Sequence, residues 1–230
     1  MKMCVLAAIH QSKIMMKIER LILAVLLAWP GGAIAEALPQ ILSSPSNSVP
    51  GCVTPQRLMN FVMERNRNLD PPKRIDPRFS TIASEYESIG ECVQRVNGVC
   101  VSIRWDYAFF QMLLETNYLT FTGGVKAEDN NFAGIGATVA GKAGERFSTI
   151  REGVLAHLQH VLMYSGQIVQ SPVAHRTKEV QLMVHDKMNQ LGRPVTFTDL
   201  SNLWTGTDRD TYATSIERTS QRFRSKYCSP

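Results

Sequence analysis

The stretch Tyr107-Ala108-Phe109-Phe110-Gln111-Met112-Leu113-Leu114-Glu115-Thr116-Asn117-Tyr118 decides how this chain is read. It is strongly apolar at helical spacing and carries one carboxylate near its end. A helix that is apolar all round belongs in a core. Removing a charge from water is expensive unless that charge is paired. Glu115 is therefore paired, protonated or set in the wall of a cleft, and the last option makes it a proton donor. Asn130-Asn131-Phe132-Ala133-Gly134-Ile135 follows it across a Gly-rich break.

Working outward, Thr54-Pro55 predicts a helix start, with threonine as N-cap and proline at the first helical position. Leu58, Phe61 and Val62 form its apolar stripe, and Asp70-Pro71-Pro72 ends it. A second helix is expected from Asp76-Pro77, where Phe79, Ile82, Tyr86 and Ile89 recur at helical spacing, with a stop near Asn97-Gly98. The third, the quoted stretch, is expected from about Arg104 to Tyr118, ahead of Gly123-Gly124. Residues 122–147 are Gly-rich and irregular, with room for a short hairpin. Further helices are expected over about 149–164, 177–191, 199–204 and 210–223, the last turning Tyr212, Ile216 and Phe223 inward. The pattern is mainly α, with one long functional loop between the third and fourth helices. No period of repeat-protein length recurs.

Lys17 and Arg20 precede an apolar run, 21–29, too short to span a bilayer. Pro30-Gly31-Gly32 breaks the run, and Ala33-Ile34-Ala35 supplies a small-x-small cleavage pattern before Glu36. Residues 1–35 are read as a signal peptide, with Met15 or Met16 as an alternative start and a buried N-terminal helix as the rival reading. Removing them takes out four basic residues and one acidic residue, lowering the net charge from +5 to +2. No Lys/Arg cluster interleaved with aromatics remains, which argues against a nucleic-acid surface. The mature chain has no expected membrane span. Residues 36–51 are rich in Pro and Ser and are expected to form a linker or flexible arm. Residues 52–228 are expected to form one domain.

Cys4 falls in the leader. Cys52, Cys92, Cys100 and Cys228 remain, an even number that suits an oxidising compartment. Of the three connectivities, Cys92–Cys100 around the turn-forming Asn97-Gly98 and Cys52–Cys228 joining the ends of the domain are expected. Metal ligation is the rival, but there is no CxxC pair to support it.

Hydrolysing a glycosidic bond needs a carboxylic acid still protonated near neutral pH. Met112, Leu113, Leu114 and Tyr118 around Glu115 disfavour its charged form. So does its place in the last turn of its helix, at the negative end of the dipole. The alternative is an exposed or paired Glu at a helix end.

The run Phe110–Tyr118 resembles the A-Q-x-x-L-E-S/T-G-W/F helix of the bacterial glucosaminidase family of peptidoglycan hydrolases. Asn131-Phe132-Ala133-Gly134-Ile135-Gly136 resembles that family's N-x-F-G-I/V-K segment. Arg146-Phe147-Ser148-Thr149-Ile150-Arg151-Glu152-Gly153-Val154 resembles its following entry into a helix, and Thr207-Asp208-Arg209-Asp210-Thr211-Tyr212-Ala213 resembles its closing motif. The four blocks stand in order across about residues 54 to 225. The resemblance implies a lysozyme-like helical domain, exported to the periplasm or outer side of a bacterial envelope. It implies cleavage of β-1,4 bonds in peptidoglycan glycan strands, commonly after N-acetylglucosamine, with no cofactor. Glu115 would be the general acid and Tyr212 a positioning residue. Tyr118, Asn130, Asn131, Phe132 and Gly134 would contact saccharide. The chain departs from the family at Asn117, at Tyr118, at Gly136 in place of lysine, in the position of Phe132 and in a short loop between Ala137 and Glu145.

Glu145 is the first candidate for a second carboxylate, ahead of Glu128-Asp129, and Glu152 reads as a charge favoured by a helix N-terminus. The substrate's own 2-acetamido group is an alternative nucleophile. Tyr212 without the resemblance reads as a core aromatic. Gly136–Ala143 nearly spells a phosphate loop but lacks the Ser or Thr after Lys142. His157 and His160, three apart, read as packing or surface residues rather than metal ligands. Two other functions stay open: a non-catalytic peptidoglycan-binding or assembly module, and a muramidase or lytic transglycosylase. The sequence identifies no protein partner.

Overall fold

The computed structural model describes residues 38–122, 125–137, 143–204 and 209–228. The expected leader at 1–35, Thr207 and Asp208 of the closing block, and residues 138–142 of the short loop lie outside them. The described helices are α1 (Pro55–Arg67), α2 (Ile82–Gly90), α3 (Trp105–Glu115), α4 (Ile150–Tyr164), α5 (His175–Asn189), α6 (Phe197–Trp204) and α7 (Arg209–Tyr227). One antiparallel hairpin, β1 (Gln94–Val96) with β2 (Val99–Val101), completes the regular structure. The mainly α class expected from the sequence is the class observed.

Every residue of α3 from Trp105 to Leu113 is buried. The helix packs against α2, α4 and α7, which makes it the centre of the core. Fully burying an aromatic or large aliphatic side chain is worth about 1.5–3 kcal/mol, so Phe109, Phe110, Met112 and Leu113 anchor the domain. Buried Arg104 precedes α3 and grips Asp106 in its first turn, with Nε to Oδ1 at 2.8 Å and a second N–H to Oδ2 at 2.6 Å. That carboxylate also meets the positive end of α3.

Thr54 accepts a hydrogen bond from Arg57 N at 3.3 Å and Pro55 opens α1, as expected. The Pro/Ser-rich segment differs from expectation, because it is not a free arm. Leu38 and Ile41 are buried, Gln40 bridges to Thr196 and Leu42 to Ile103. Asn47 Nδ2 holds the turn by donating to Gln40 O at 2.9 Å and Leu42 O at 2.7 Å. Leu38 and Ile41, with Leu42 and Val49 packed against the same core, seat it among the prolines and serines.

The second helix is also corrected. Asp76 and Pro77 start only a 3-10 turn, Pro77–Phe79, and α2 stops at Gly90 rather than at Asn97. Gly90 is the crossing point with α3: a Cβ there would lie 2.2 Å from Trp105 Cβ. The chain then turns into the hairpin. Asn97 (φ 51) and Gly98 (φ 80) carry the two positive φ angles of a type I′ turn. Cys92–Cys100 closes it, and Cys52–Cys228 joins the start of α1 to the end of α7. Both pairings match the expectation. The hairpin therefore lies between α2 and α3; the described part of 122–147 holds only a 3-10 turn, Ala127–Asp129. Among the described residues, no helix is long and apolar enough to cross a membrane.

Candidate functional site

Glu115 is the last residue of α3. Its Oε1 accepts a hydrogen bond from Trp204 Nε1 at 3.0 Å, at the end of α6. The same oxygen accepts another from the Tyr212 hydroxyl, near the start of α7. Oε2 looks the other way, toward Gly134, where a Cβ would sit 3.9 Å from it. Burial pushes the Glu115 carboxyl above the usual carboxylate range, and the bonds from Tyr212 and Trp204 partly offset this. Burial first, and then the charge of Glu115, push the Tyr212 phenol well up, so it remains a donor.

An indole N–H can only donate. Two donors on Oε1 therefore mark it as the carbonyl-like oxygen of the acid, and the dissociable proton belongs on Oε2. That oxygen faces the wall with no side chain. Gly134 has φ +63, a left-handed conformation that costs glycine little.

The loop carrying Gly134 is held by the residues expected to touch saccharide. Asn130 takes a left-handed conformation (φ 47) and donates Nδ2 to Phe147 O at 2.9 Å. Asn131 Nδ2 donates to Ile135 O and Glu145 O, each at 2.9 Å, and its Oδ1 accepts from Ile135 N at 2.9 Å. Phe132 is fully buried, edge-on to Phe79 with ring centroids 5.8 Å apart. The whole loop sits against α4 at Gly153, whose added Cβ would lie 1.8 Å from Asn130 O. Asn130, Asn131 and Phe132 thus build the loop from inside, a correction to their reading as groove residues.

Tyr118 is corrected too. It is buried beside Phe61, under the Arg65 guanidinium at 4.2 Å, with its hydroxyl 3.3 Å from Thr219 Oγ1. Asn117, Tyr118 and Leu119 form a left-handed turn with φ of 46, 57 and 62. Thr116 Oγ1 and Asn66 hold it, the first accepting from Leu119 N at 3.0 Å and the second donating to Tyr118 O at 2.9 Å. This turn swings the chain off α3 directly after Glu115.

Glu145 is not brought to Glu115 by any contact among the described residues. Its carboxylate caps α5, accepting from His175 N at 2.8 Å and Arg176 N at 2.7 Å. Gly136 has φ +80, and a Cβ there would press on Glu145 Cγ at 3.1 Å. Asp129 pairs with Arg146 at 2.8 Å. Glu152 accepts from Ser148 N at 2.8 Å at the start of α4, as its position suggested.

Sequence reasoning missed Trp204, whose ring also packs near His160, Tyr164 and His157 at 5.4, 5.6 and 6.2 Å. A signal existed: a tryptophan ending a short apolar helix needs an acceptor for its N–H when buried. His157 and His160 are buried, and burial holds both at about 3, so they are neutral. His157 lies between Tyr86 Oη, 2.7 Å from Nδ1, and Gln111 Oε1, 3.3 Å from Nε2. His160 Nδ1 lies 2.8 Å from Thr177 Oγ1. Among the described residues, no three His, Cys, Asp or Glu side chains gather as a metal site would require.

Comparison with known protein families finds no match, and neither does comparison with solved structures. An uncharacterized protein of Borreliella burgdorferi is 37% identical over 112 residues, which are 48% of this chain and 48% of that protein. The chain therefore spans about half the length of this relative.

Proposed function

We propose that this chain is a peptidoglycan glycan-strand hydrolase of the bacterial envelope, with Glu115 as its general acid. The observation that carries the reading is the split carboxyl. One oxygen of Glu115 is pinned by Trp204 and Tyr212, and the other is turned toward a glycine wall. Burial raises the acid toward the range in which a proton is still available near neutral pH. In the proposed step Oε2–H protonates the glycosidic oxygen as its bond to the anomeric carbon breaks. The substrate's 2-acetamido oxygen bonds to that carbon as the leaving group departs; water then displaces it, leaving a hydroxyl on the anomeric carbon and returning a proton to Glu115. The four sequence blocks support β-1,4 cleavage after N-acetylglucosamine. Two disulfides support an oxidising, exported setting.

The engagement of Glu145 with α5 and of Asp129 with Arg146 favours the substrate's 2-acetamido group over either carboxylate as the nucleophile. The same observation supports a second reading, a lytic transglycosylase or a non-catalytic binding module. Mass spectrometry of products from purified peptidoglycan separates these. A reducing N-acetylglucosamine end is the expected result, with none from Glu115→Gln. A 1,6-anhydro end, a reducing N-acetylmuramic acid end or binding without release would each replace this assignment, and full activity in Glu115→Gln would overturn it.

A further inference from the structure

The end of α1 and the loop after it form a groove of about 440 Å³ that the proposed hydrolysis does not use. Met63, Pro72 and Ile75 give it an apolar lining, and Arg67, Lys73 and Arg74 give it three cations. All of these but Ile75 are exposed. Neighbouring cations are engaged: Arg65 lies over Tyr118 at 4.2 Å and donates to Asn117 Oδ1 at 3.2 Å, and Arg78 pairs with Asp76 at 3.2 Å. Glu64 feels the charge of Arg67 but gives its carboxylate to Lys226. Among the described residues, the side chains of Arg67, Lys73 and Arg74 have no hydrogen bond or salt bridge.

The backbone under these cations is held in place. The carbonyl of Asn66 accepts from Leu69 N at 3.4 Å and Lys73 N at 3.0 Å, and its buried side chain donates Nδ2 to Tyr118 O at 2.9 Å. Three like charges on a fixed frame repel one another until an anion answers them. The wider charge pattern points the same way. Residues 55–78 carry six basic and three acidic side chains, and residues 211–227 of α7, which packs on α1, carry four and one. The remaining residues from 36 onward carry eleven basic and fifteen acidic. An almost neutral domain therefore concentrates its positive charge on α1, α7 and the loop of the groove.

The groove lies beside the acid. Asn66 holds the turn that directly follows Glu115, and Phe79 stacks on Phe121 at the end of that turn, with ring centroids 5.2 Å apart. Arg78 donates to Ala127 O, two residues from Val125, whose side chain faces Gly134. Ile75 and Arg78 are three residues apart, so at most about 11 Å separates their Cα atoms. We infer that this groove takes the peptide stem of a peptidoglycan strand, with the stem's carboxylates on Arg67, Lys73 and Arg74 and its alanine methyls on Met63, Pro72 and Ile75. Arginine clusters recognise acidic peptides in this way. The inference rests on the glycan-hydrolase reading for its substrate, and it gives that reading a preference for strands that still bear stems. A concave lining suits a short chain better than a flat membrane. A nucleic acid would call for exposed rings, and Tyr118 and Phe79, the rings beside the groove, are buried.

The test titrates the intact protein with free peptide stem, cut from its glycan, and follows amide and methyl signals by NMR. Saturable shifts are expected at Met63, at Ile75 and along 67–74, weakening as salt is raised. Replacing Arg67, Lys73 and Arg74 together by glutamine should weaken binding roughly tenfold, with Tm unchanged because all three side chains are exposed and unpaired. Arg218→Gln with Arg222→Gln, which removes two exposed charges from α7, should change it by less than about threefold. A stem with its carboxylates amidated supplies the same comparison on the wild-type protein, and it should bind as weakly as the native stem binds the triple variant. Undiminished binding in the triple variant, an equal loss in the α7 variant, equal binding of the amidated stem or shifts confined to another face would each overturn the inference. So would capture by phosphatidylglycerol vesicles without any response to the stem, which would assign the groove to a membrane surface. No glycan bond is cut in this experiment, so failure of the hydrolase reading shows only in the product assay, and the groove can fail while that assay succeeds.

Discussion

Replacing Glu145 distinguishes a capping residue from a catalytic one. Its two oxygens accept separate backbone N–H groups, His175 N at 2.8 Å and Arg176 N at 2.7 Å, in the first turn of α5. Glu145→Ala returns both donors to solvent. Loss of an N-terminal cap costs about 1 kcal/mol, and removal of a negative charge from a helix N-terminus costs roughly 0.3–1 kcal/mol more. A loss of about 2 kcal/mol in a domain of this size lowers Tm by roughly 4–8 °C. Glu145→Gln keeps one good acceptor and should lose about half as much. Product release per folded molecule should stay within about threefold of wild type in both variants, whereas removing a group that transfers protons in the transition state costs roughly 10²–10⁴-fold. Thermal unfolding and release of soluble glycan, measured on the same preparations, decide the matter. Unchanged Tm with activity down a hundredfold or more would refute the capping assignment and restore Glu145 as the second carboxylate.

Three further outcomes follow from the same geometry. Burial raises the folded-state pKa of Glu115, so the folded protein holds that proton to higher pH than the unfolded chain does. Its contribution to stability is full below the unfolded value, about 4.3, and is lost as pH rises through the folded value. Glu115→Gln has no such loss, and its urea midpoint should exceed that of wild type by a margin that grows across that interval and then stays level. Gly153→Ala, which in an open helix would stabilise by up to about 1 kcal/mol, should instead destabilise by roughly 1–3 kcal/mol. Its Cβ would lie 1.8 Å from Asn130 O, and glycan release should fall as Gly134 is displaced. Removing Cys52–Cys228 as a double serine variant opens a loop with a sequence separation of 176 residues. The chain-entropy relation sets the cost at about 5 kcal/mol, and chemical denaturation with the hairpin disulfide intact measures it.

How much of this was legible in the sequence follows the range of the forces involved. Helix positions were readable because caps and apolar periodicity are local: Thr54-Pro55 opens α1, and Thr149 opens α4 with its side chain accepting from Glu152 N at 3.1 Å. The end of α2 was not, because Phe79, Ile82, Tyr86 and Ile89 continue at helical spacing up to Gly90. The helix ends where Gly90 meets Trp105, fifteen residues on, so closely that a Cβ would lie 2.2 Å from Trp105 Cβ. Asn97-Gly98 was recognised as a turn, yet it was read as the end of a helix rather than as the tip of a hairpin. Its flanks, Val93 to Val96 and Val99 to Val101, had the β-branched content to say otherwise. The site divides the same way. Glu115 stood out against its apolar neighbours. Asn130, Asn131, Phe132 and Tyr118 were assigned to the groove through the resemblance of their blocks to the glucosaminidase motifs, and whether a side chain faces substrate or its own loop is a tertiary fact that such a match does not carry.

The position of Glu115 at the end of α3 is a physical requirement. A carboxylate in the middle of a helix buried all round needs partners brought into the core to answer the cost of its charge, as Arg104 answers Asp106 in the first turn. At the last turn the helix leaves the core, and groups from elsewhere in the chain can approach. Trp204 and Tyr212 arrive on α6 and α7, which pack on each other, and Gly134 arrives on a loop seated against α4. Each approach needs the core that α3 itself organises: Tyr107 against Phe197 of α6 at 5.5 Å, and Phe110 against Phe223 of α7 at 5.6 Å. The apolar run that made Glu115 look anomalous is therefore also what carries its partners to it. A substitution that loosens α3 far from the carboxyl, Phe110→Ala for instance, should disturb the acid as well as the fold. Core truncations of this kind cost about 3–5 kcal/mol. An NMR titration of the Glu115 carboxyl well below the lowered Tm should show the shift, because Phe110 seats Phe223 of α7, the helix that carries Tyr212.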